Sequence, residues 1–205
     1  MTDLTDAIRE RRSIRKYLPK KVPKELVEEF LVAAGWAPSA HNAQPWRFIV
    51  LADSAVKREL ALAMADAWAA DITKDGLTIE EDKRKASVER FASVPVLILA
   101  CLTMEGMQKF PDERRQKCER DLAMQSLGAA MQNLLLASHA KGLGACWFCA
   151  PSFCKETVRK VLKIPVAVEP EALIALGYPA ENPPTPTRKR LGEYCFLDSW
   201  GNRLV

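Results

Sequence analysis

The longest strongly apolar run in the chain, Val94-Pro95-Val96-Leu97-Ile98-Leu99-Ala100-Cys101-Leu102, carries no charge. It is far shorter than the roughly 20 residues that a membrane-crossing helix needs. It reads as a buried strand, Val94 to Cys101, and a strand without polar alternation needs cover on both faces. Helical patterns before and after the run can supply that cover. The expected fold is therefore an α/β or α+β sandwich, with helices covering a central sheet.

The remaining elements follow from caps and periodicity. Thr2 or Asp3 caps a short helix with Leu4 and Ile8 on one face. Pro23 suits the first position of a second helix, whose stripe is Leu26, Val27, Phe30, Leu31 and Ala34 and which Gly35 ends. Trp46 to Leu51 is a strand. Ser54 caps a helix to about Ile72, and Thr78 with Glu81 makes a capping box for the next. A long helix runs from about Asp112 to Ala140, closed by Gly142. Leu143 to Cys149 is a strand, Ser152 caps another helix, and Glu171 to Gly177 is the last core strand. From Pro179 the chain is proline-rich and reads as an extended arm. Trp200 near the arm's end suits a partner subunit's surface. With no repeats, the 205 residues are expected to form one domain, 1–205.

Charge is placed unevenly. Arg9 to Lys24 holds eight basic residues against one acid, Glu10, and a second knot is Arg188-Lys189-Arg190. The net charge of +4 is modest, which argues against a nucleic-acid partner. Met1 to Asp6 is polar and acidic, so no secretory leader is expected. Six cysteines in a chain of this size do not make a disulfide framework. A cytoplasmic protein without a membrane partner is the simplest expectation.

Two segments carry the chemistry. Arg11, Arg12 and Arg15, with Ser13 between them, make a compact anion trap, because guanidinium forks suit bidentate phosphate contacts. The loop Pro38–Pro45 offers Ser39, Asn42 and Gln44 as neutral donors and acceptors for a heteroaromatic edge. One ligand with a phosphate at one end and a flat polar ring at the other fits both, and flavin mononucleotide (FMN) is such a ligand. Other readings fall away. There is no Walker loop, nucleophile elbow or helical zinc motif. Gly142-Leu143-Gly144 follows a helix and opens a strand, the reverse of a dinucleotide turn. Cys146 and Cys149 lack the further ligands of a metal site and point to opposite faces of a strand. No metal is expected. His41 is unsupported by a neighbouring carboxylate and reads as a loop residue at a pocket edge.

At these residues the chain resembles the nitroreductase family of FMN-dependent oxidoreductases. The matching pieces are Arg11-Arg12-Ser13-Ile14-Arg15, Pro38 through Phe48, Gly142-Leu143-Gly144, Gly177-Tyr178-Pro179 and Arg188-Lys189-Arg190, in the family's order. The resemblance implies an α+β fold with a central mixed β-sheet, flanking helices and a C-terminal arm exchanged in a homodimer. It implies that Arg11, Arg12, Ser13, Arg15, Arg188 and Arg190 hold the FMN phosphate. Ser39, Asn42 and Gln44 would meet the ribityl chain or ring, Ser39 and Asn42 from the other subunit. The backbone of Phe148, Cys149 and Ala150 would approach the reactive ring nitrogen, although many members carry a carboxylate where Cys149 falls. No side chain of this protein is thereby assigned a catalytic step.

A narrower resemblance concerns Met64 through Trp68, Asp75-Gly76-Leu77, Lys109 through Asp112 and Gly142 through Trp147. These look like the C-terminal reductase domain of the two-domain ligase of deazaflavin coenzyme (coenzyme F-420) biosynthesis. That resemblance implies hydride transfer through FMN to a dehydro precursor of the coenzyme, with NAD(P)H or a reduced deazaflavin as donor. A broad NAD(P)H-dependent nitro or quinone reductase, and a flavin-holding protein without turnover, stay open beside it.

Overall fold

The computed structural model describes residues 3–205. Six helices and four strands follow one another as α1 (Leu4–Glu10), α2 (Lys24–Gly35), β1 (Trp46–Leu51), α3 (Ser54–Lys74), α4 (Glu81–Ala92), β2 (Val96–Thr103), α5 (Glu113–Ala140), β3 (Gly144–Phe148), α6 (Lys155–Leu162) and β4 (Val168–Gly177). The fold class is α+β, as expected. The strand order is β1-β2-β4-β3, and all three neighbouring pairs are antiparallel. The parallel component of the expected mixed sheet is thus confined, among the described residues, to one isolated bridge between Ser13 and Ala145.

Every residue of β2 is buried, which fulfils the demand of the apolar run for cover on both faces. Alternation sorts its side chains between two cores. Ile98, Ala100 and Leu102 face α2 and α5, beside Phe30, Leu127, Met131 and Leu134. Leu97, Leu99 and Cys101 face the other way, toward Leu60, Met64, Phe91 and Val158 of α3, α4 and α6. Pro170 sits inside β4, where the sequence places no strand. It pairs opposite Cys101, where the register shifts, and an irregularity is where a ladder tolerates a residue without an N–H.

Several caps differ from expectation. Asp3 caps α1 by accepting from Thr5 N–H; the alternative cap, Thr2, lies outside the described residues. Pro23 is the cap of α2, extended at ψ 141°, rather than its first helical residue. Asp53 displaces Ser54 at α3, its carboxylate accepting from Ala55 and Val56 N–H. Glu80, not Thr78, precedes α4, and no capping box forms there. Ser152 lies within a short 3-10 turn, Ala150–Phe153, ahead of α6, and Cys154 takes the cap position. At α3 and α4 the displacing neighbours, Asp53 and Glu80, hold the extended backbone that a cap requires.

Candidate flavin site

The arginine segment lies against β3. Ile14 N–H donates to Ala145 O at 3.1 Å, and Ser13 forms its bridge with the same residue. Two glycines make this approach possible. A β-carbon on Gly144 would come within 2.6–2.8 Å of Ile14, and one on Gly177 would fall 2.9 Å from the Tyr17 ring. Tyr17 Oη then donates to Ile14 O at 2.5 Å and to Ala175 O at 3.2 Å, pinning the segment to the sheet. The Glu181 carboxylate accepts from Arg15 and Lys16 N–H at 2.6 and 3.1 Å. The two glycine motifs therefore have a mechanical meaning: they are the seats of the arginine segment.

Arg11 and Arg12 line a cleft of about 220 Å3 with Ile14, Gly144 and Glu181. The arm reaches this cleft, since Arg12 Nη2 donates to Thr185 Oγ1 at 2.8 Å. Burial, then the charges of Arg12 and Arg188, push the Arg11 pKa down. Arg188 is thus near enough for its charge to be felt at Arg11. Arg190 instead opens a 3-10 turn, Leu191–Glu193, with its backbone N–H on Glu193 at 2.7 Å. None of Arg11, Arg12, Arg15, Arg188 and Arg190 forms an ion pair among the described residues. Glu10 and Glu181 also line the cleft, and Glu181 is spent on backbone N–H groups, so the guanidiniums stay open to an anion.

Farther along β3 a larger cavity of about 680 Å3 opens between α3, α4 and the 3-10 turn, with Phe148, Cys149 and Ala150 on its wall. The volume suits a ring-sized ligand. Phe148 is fixed edge-on against Phe91, with ring centroids 5.2 Å apart. The N–H groups of Cys149 and Ala150 have no acceptor among the described residues, so two adjacent donors are left at the cavity edge. The 3-10 turn itself is held from behind, where Ser152 Oγ donates to Glu171 O at 2.7 Å. Cys146, inside β3, is buried, whereas Cys149, just beyond it, is exposed. Burial pushes the Cys146 thiol pKa up, against the opposing pull of Arg15, Ser13, Arg11 and Arg90.

Ser39, Asn42 and Gln44 lie elsewhere. Ala40 and Ala43 of their loop pack on the α2/α5 core, while Phe148 and Ala150 pack on the opposite one. Ser39 lines a shallow cleft with Leu122, Gln125 and Ser126 of α5, and its Oγ accepts from Gln44 N–H at 3.1 Å. The Gln44 side-chain amide lies 3.4 Å from Asn42 Oδ1. His41, Asn42 and Gln44 all have positive φ, at 57°, 52° and 48°. So dense a run of left-handed non-glycine residues stores strain, as binding loops commonly do. Within one chain this loop and the ring-sized cavity therefore pack on opposite cores.

One expectation is overturned at His41. Its Nε2 lies 3.3 Å from the carboxylate of Glu119, a buried residue of α5 that also accepts from Gln108 N–H. Helical packing supplies a carboxylate that no local stretch of sequence does.

The Nitroreductase family profile matches residues 8–178. A candidate NADH dehydrogenase/NAD(P)H nitroreductase of Methanothermobacter thermautotrophicus is 34% identical over 185 residues, covering 89% of this chain and 81% of that protein. A BluB-like flavoprotein from Clostridium difficile superposes with a TM-score of 0.81 at 25% identity, covering 97% of this chain and all of that one. A candidate nitroreductase from Desulfovibrio desulfuricans, solved in complex with FMN, gives 0.73 at 30% identity, covering 98% and 99%.

Proposed function

The chain belongs to the nitroreductase family, and on that premise we propose an FMN-dependent oxidoreductase passing hydride from NAD(P)H to a conjugated organic acceptor. Residues 1–205 are read as a single catalytic domain of the cytoplasm; free cysteines suit a reducing compartment.

The observation that carries the reading is the pairing of Ser13 with Ala145. From Ala145 to Phe148 the strand advances about 10 Å, at roughly 3.3 Å per residue. A ribityl chain together with its phosphate ester linkage spans most of that distance from ring nitrogen to phosphorus, so β3 would work as a ruler between anion trap and ring cavity. Arg11, Arg12, Ser13, Arg15 and Arg188 would hold the phosphate dianion, relieving the mutual repulsion of Arg11, Arg12 and Arg188. Arg190, two residues farther along the same arm, would join them. The free N–H groups of Cys149 and Ala150 would face the polar edge of the ring, and Phe148 would limit its tilt. When bound, FMN supplies the hydride-carrying chemistry. The protein's part is to hold the ring, exclude water from one face and aim backbone dipoles at it.

Ser39, Asn42 and Gln44 would act in a second copy's site, which makes the proposed enzyme a homodimer. The loop's position on the far core and the exposed apolar arm support this, since Trp200 is 91% exposed. The narrower resemblance in α3, the loop before α5 and β3 makes a dehydro precursor of a deazaflavin coenzyme an acceptor to test beside nitro and quinone compounds.

The test is the absorbance spectrum of the purified protein, followed anaerobically after NADH or NADPH is added. A flavin band bleached by the nucleotide and restored by an acceptor is the expected result. A band that no donor bleaches would leave a flavin-holding protein, and a chain that takes up no FMN would refute the proposal.

A further inference from the structure

The far wall of the large cavity is built by α3 and α4, and its charges are unevenly satisfied. The two helices run antiparallel, tied by Arg58–Glu89 at 3.0 Å and by Arg84–Asp66. Asp75 and Lys83 therefore lie toward the turn between the helices. Arg90 lies toward β3, next to Phe91, which contacts Phe148. Lys83 and Arg90 are separated by about 10 Å of helix, at 1.5 Å per residue. Asp71 is occupied by Lys74 at 2.8 Å and Lys83 by Glu80 at 3.2 Å. Arg90 lines the cavity with no acidic partner among the described residues.

The cofactor's phosphate already has four guanidiniums and a serine at the other end of β3. Arg90 is left for a second anion at the ring end of the cavity. The walls there are apolar and aromatic, with Trp68, Phe91 and Phe148 suiting a planar guest. A guanidinium fork beside such walls favours a carboxylate over a neutral group of the same shape. Asp75, at the opposite end, would turn a carboxylate away from itself and toward Arg90. Resting on the FMN reading above, we infer that Arg90 is a specificity-determining residue that grips the carboxylate of a planar aromatic acceptor.

The probes are 4-nitrobenzoate and 4-nitrobenzamide, which share a shape and differ in charge. FMN-loaded protein is photoreduced, mixed with each, and flavin reoxidation is followed in a single turnover. No nicotinamide donor is needed. The ratio of apparent second-order rates, benzoate over benzamide, is expected to fall about tenfold in Arg90→Gln, the size of one partly solvated charge-assisted contact. Arg90→Lys should fall between, and added salt should lower the wild-type ratio. An unchanged ratio in flavin-loaded Arg90→Gln overturns this inference alone. So does equal slowing of both acceptors or loss of FMN, either of which assigns Arg90 to the cofactor. Wild-type protein that takes up no flavin overturns the underlying reading instead.

Discussion

Gly144 sits so close beneath Ile14 that a β-carbon on it would fall 2.6 Å from Ile14 Cγ1 and 2.7 Å from Ile14 Cβ. Those atoms belong to a buried side chain joined to the sheet by its own backbone, so little can give. The polar contacts of Ile14, Tyr17 and Glu181 that hold the arginine segment on the sheet are therefore possible only because residue 144 lacks a side chain.

Gly144→Ala should therefore act on the cofactor more than on the fold. Overpacking costs about 1–3 kcal/mol, which for a chain of this size lowers Tm by several degrees. Lifting Arg11–Arg15 from β3 should weaken FMN binding at least about tenfold, because the guanidiniums lose their shared focus. Fluorescence titration with FMN, beside a thermal melt, separates the two effects. A variant with wild-type FMN affinity would mean that the segment is held by other means.

Cys149 should react with iodoacetamide before Cys146 and Cys101. It is exposed, whereas burial pushes the Cys101 thiol up to about 12 and raises that of Cys146 as well. Because Cys149 lines the cavity that would hold the ring, saturating FMN should slow its labelling severalfold without changing that of Cys118, also exposed. Peptide mapping by mass spectrometry reads both. Equal labelling of Cys149 with and without FMN would remove it from the cofactor's wall.

Much of this was legible in the sequence, for reasons that differ from element to element. β1 begins and ends at the expected residues because Pro45 and Asp53 bracket an unambiguous apolar stretch. The arginine trap was legible because its residues are consecutive. Glu119 was not, since a lone glutamate in a long helix reads as solvated until packing sets it 3.3 Å from His41, 78 positions away. Lys57 misleads in the same way: it is buried, with Nζ donating to Val94 O and Pro95 O. The glycine motifs announced a close approach but not its partner, because Ile14 and Gly144 meet only once the sheet has formed. Arg90 gave no signal at all, for its meaning lies in the acid it lacks.

An ion network beside the site gives stability a dependence on pH. The hydrogen bond from Arg120 to Glu169, at 2.7 Å, outweighs the opposing effect of burial, and Lys155 adds to it at 2.6 Å; together they lower the Glu169 pKa from 4.5 to about 2. A depressed folded-state pKa contributes stability above the unfolded value of 4.5 and loses it as pH falls toward 2. Wild type should accordingly exceed Glu169→Gln in urea midpoint above about pH 5, and the gap should close on acidification. A gap independent of pH would show that the carboxylate's charge is not what stabilises this corner.

The most direct test of the central claim, that Arg11–Arg15 and β3 together hold a flavin by its phosphate, is parallel titration of apoprotein with FMN and riboflavin. Two charge-assisted contacts at about 1.5–3 kcal/mol each predict that wild type prefers FMN by at least about a hundredfold. The Arg11→Gln/Arg15→Gln double variant should lose most of that preference while keeping its helical circular dichroism and its weak affinity for riboflavin. Equal affinity of the wild type for the two flavins, or a double variant that still prefers FMN as strongly, would contradict the account.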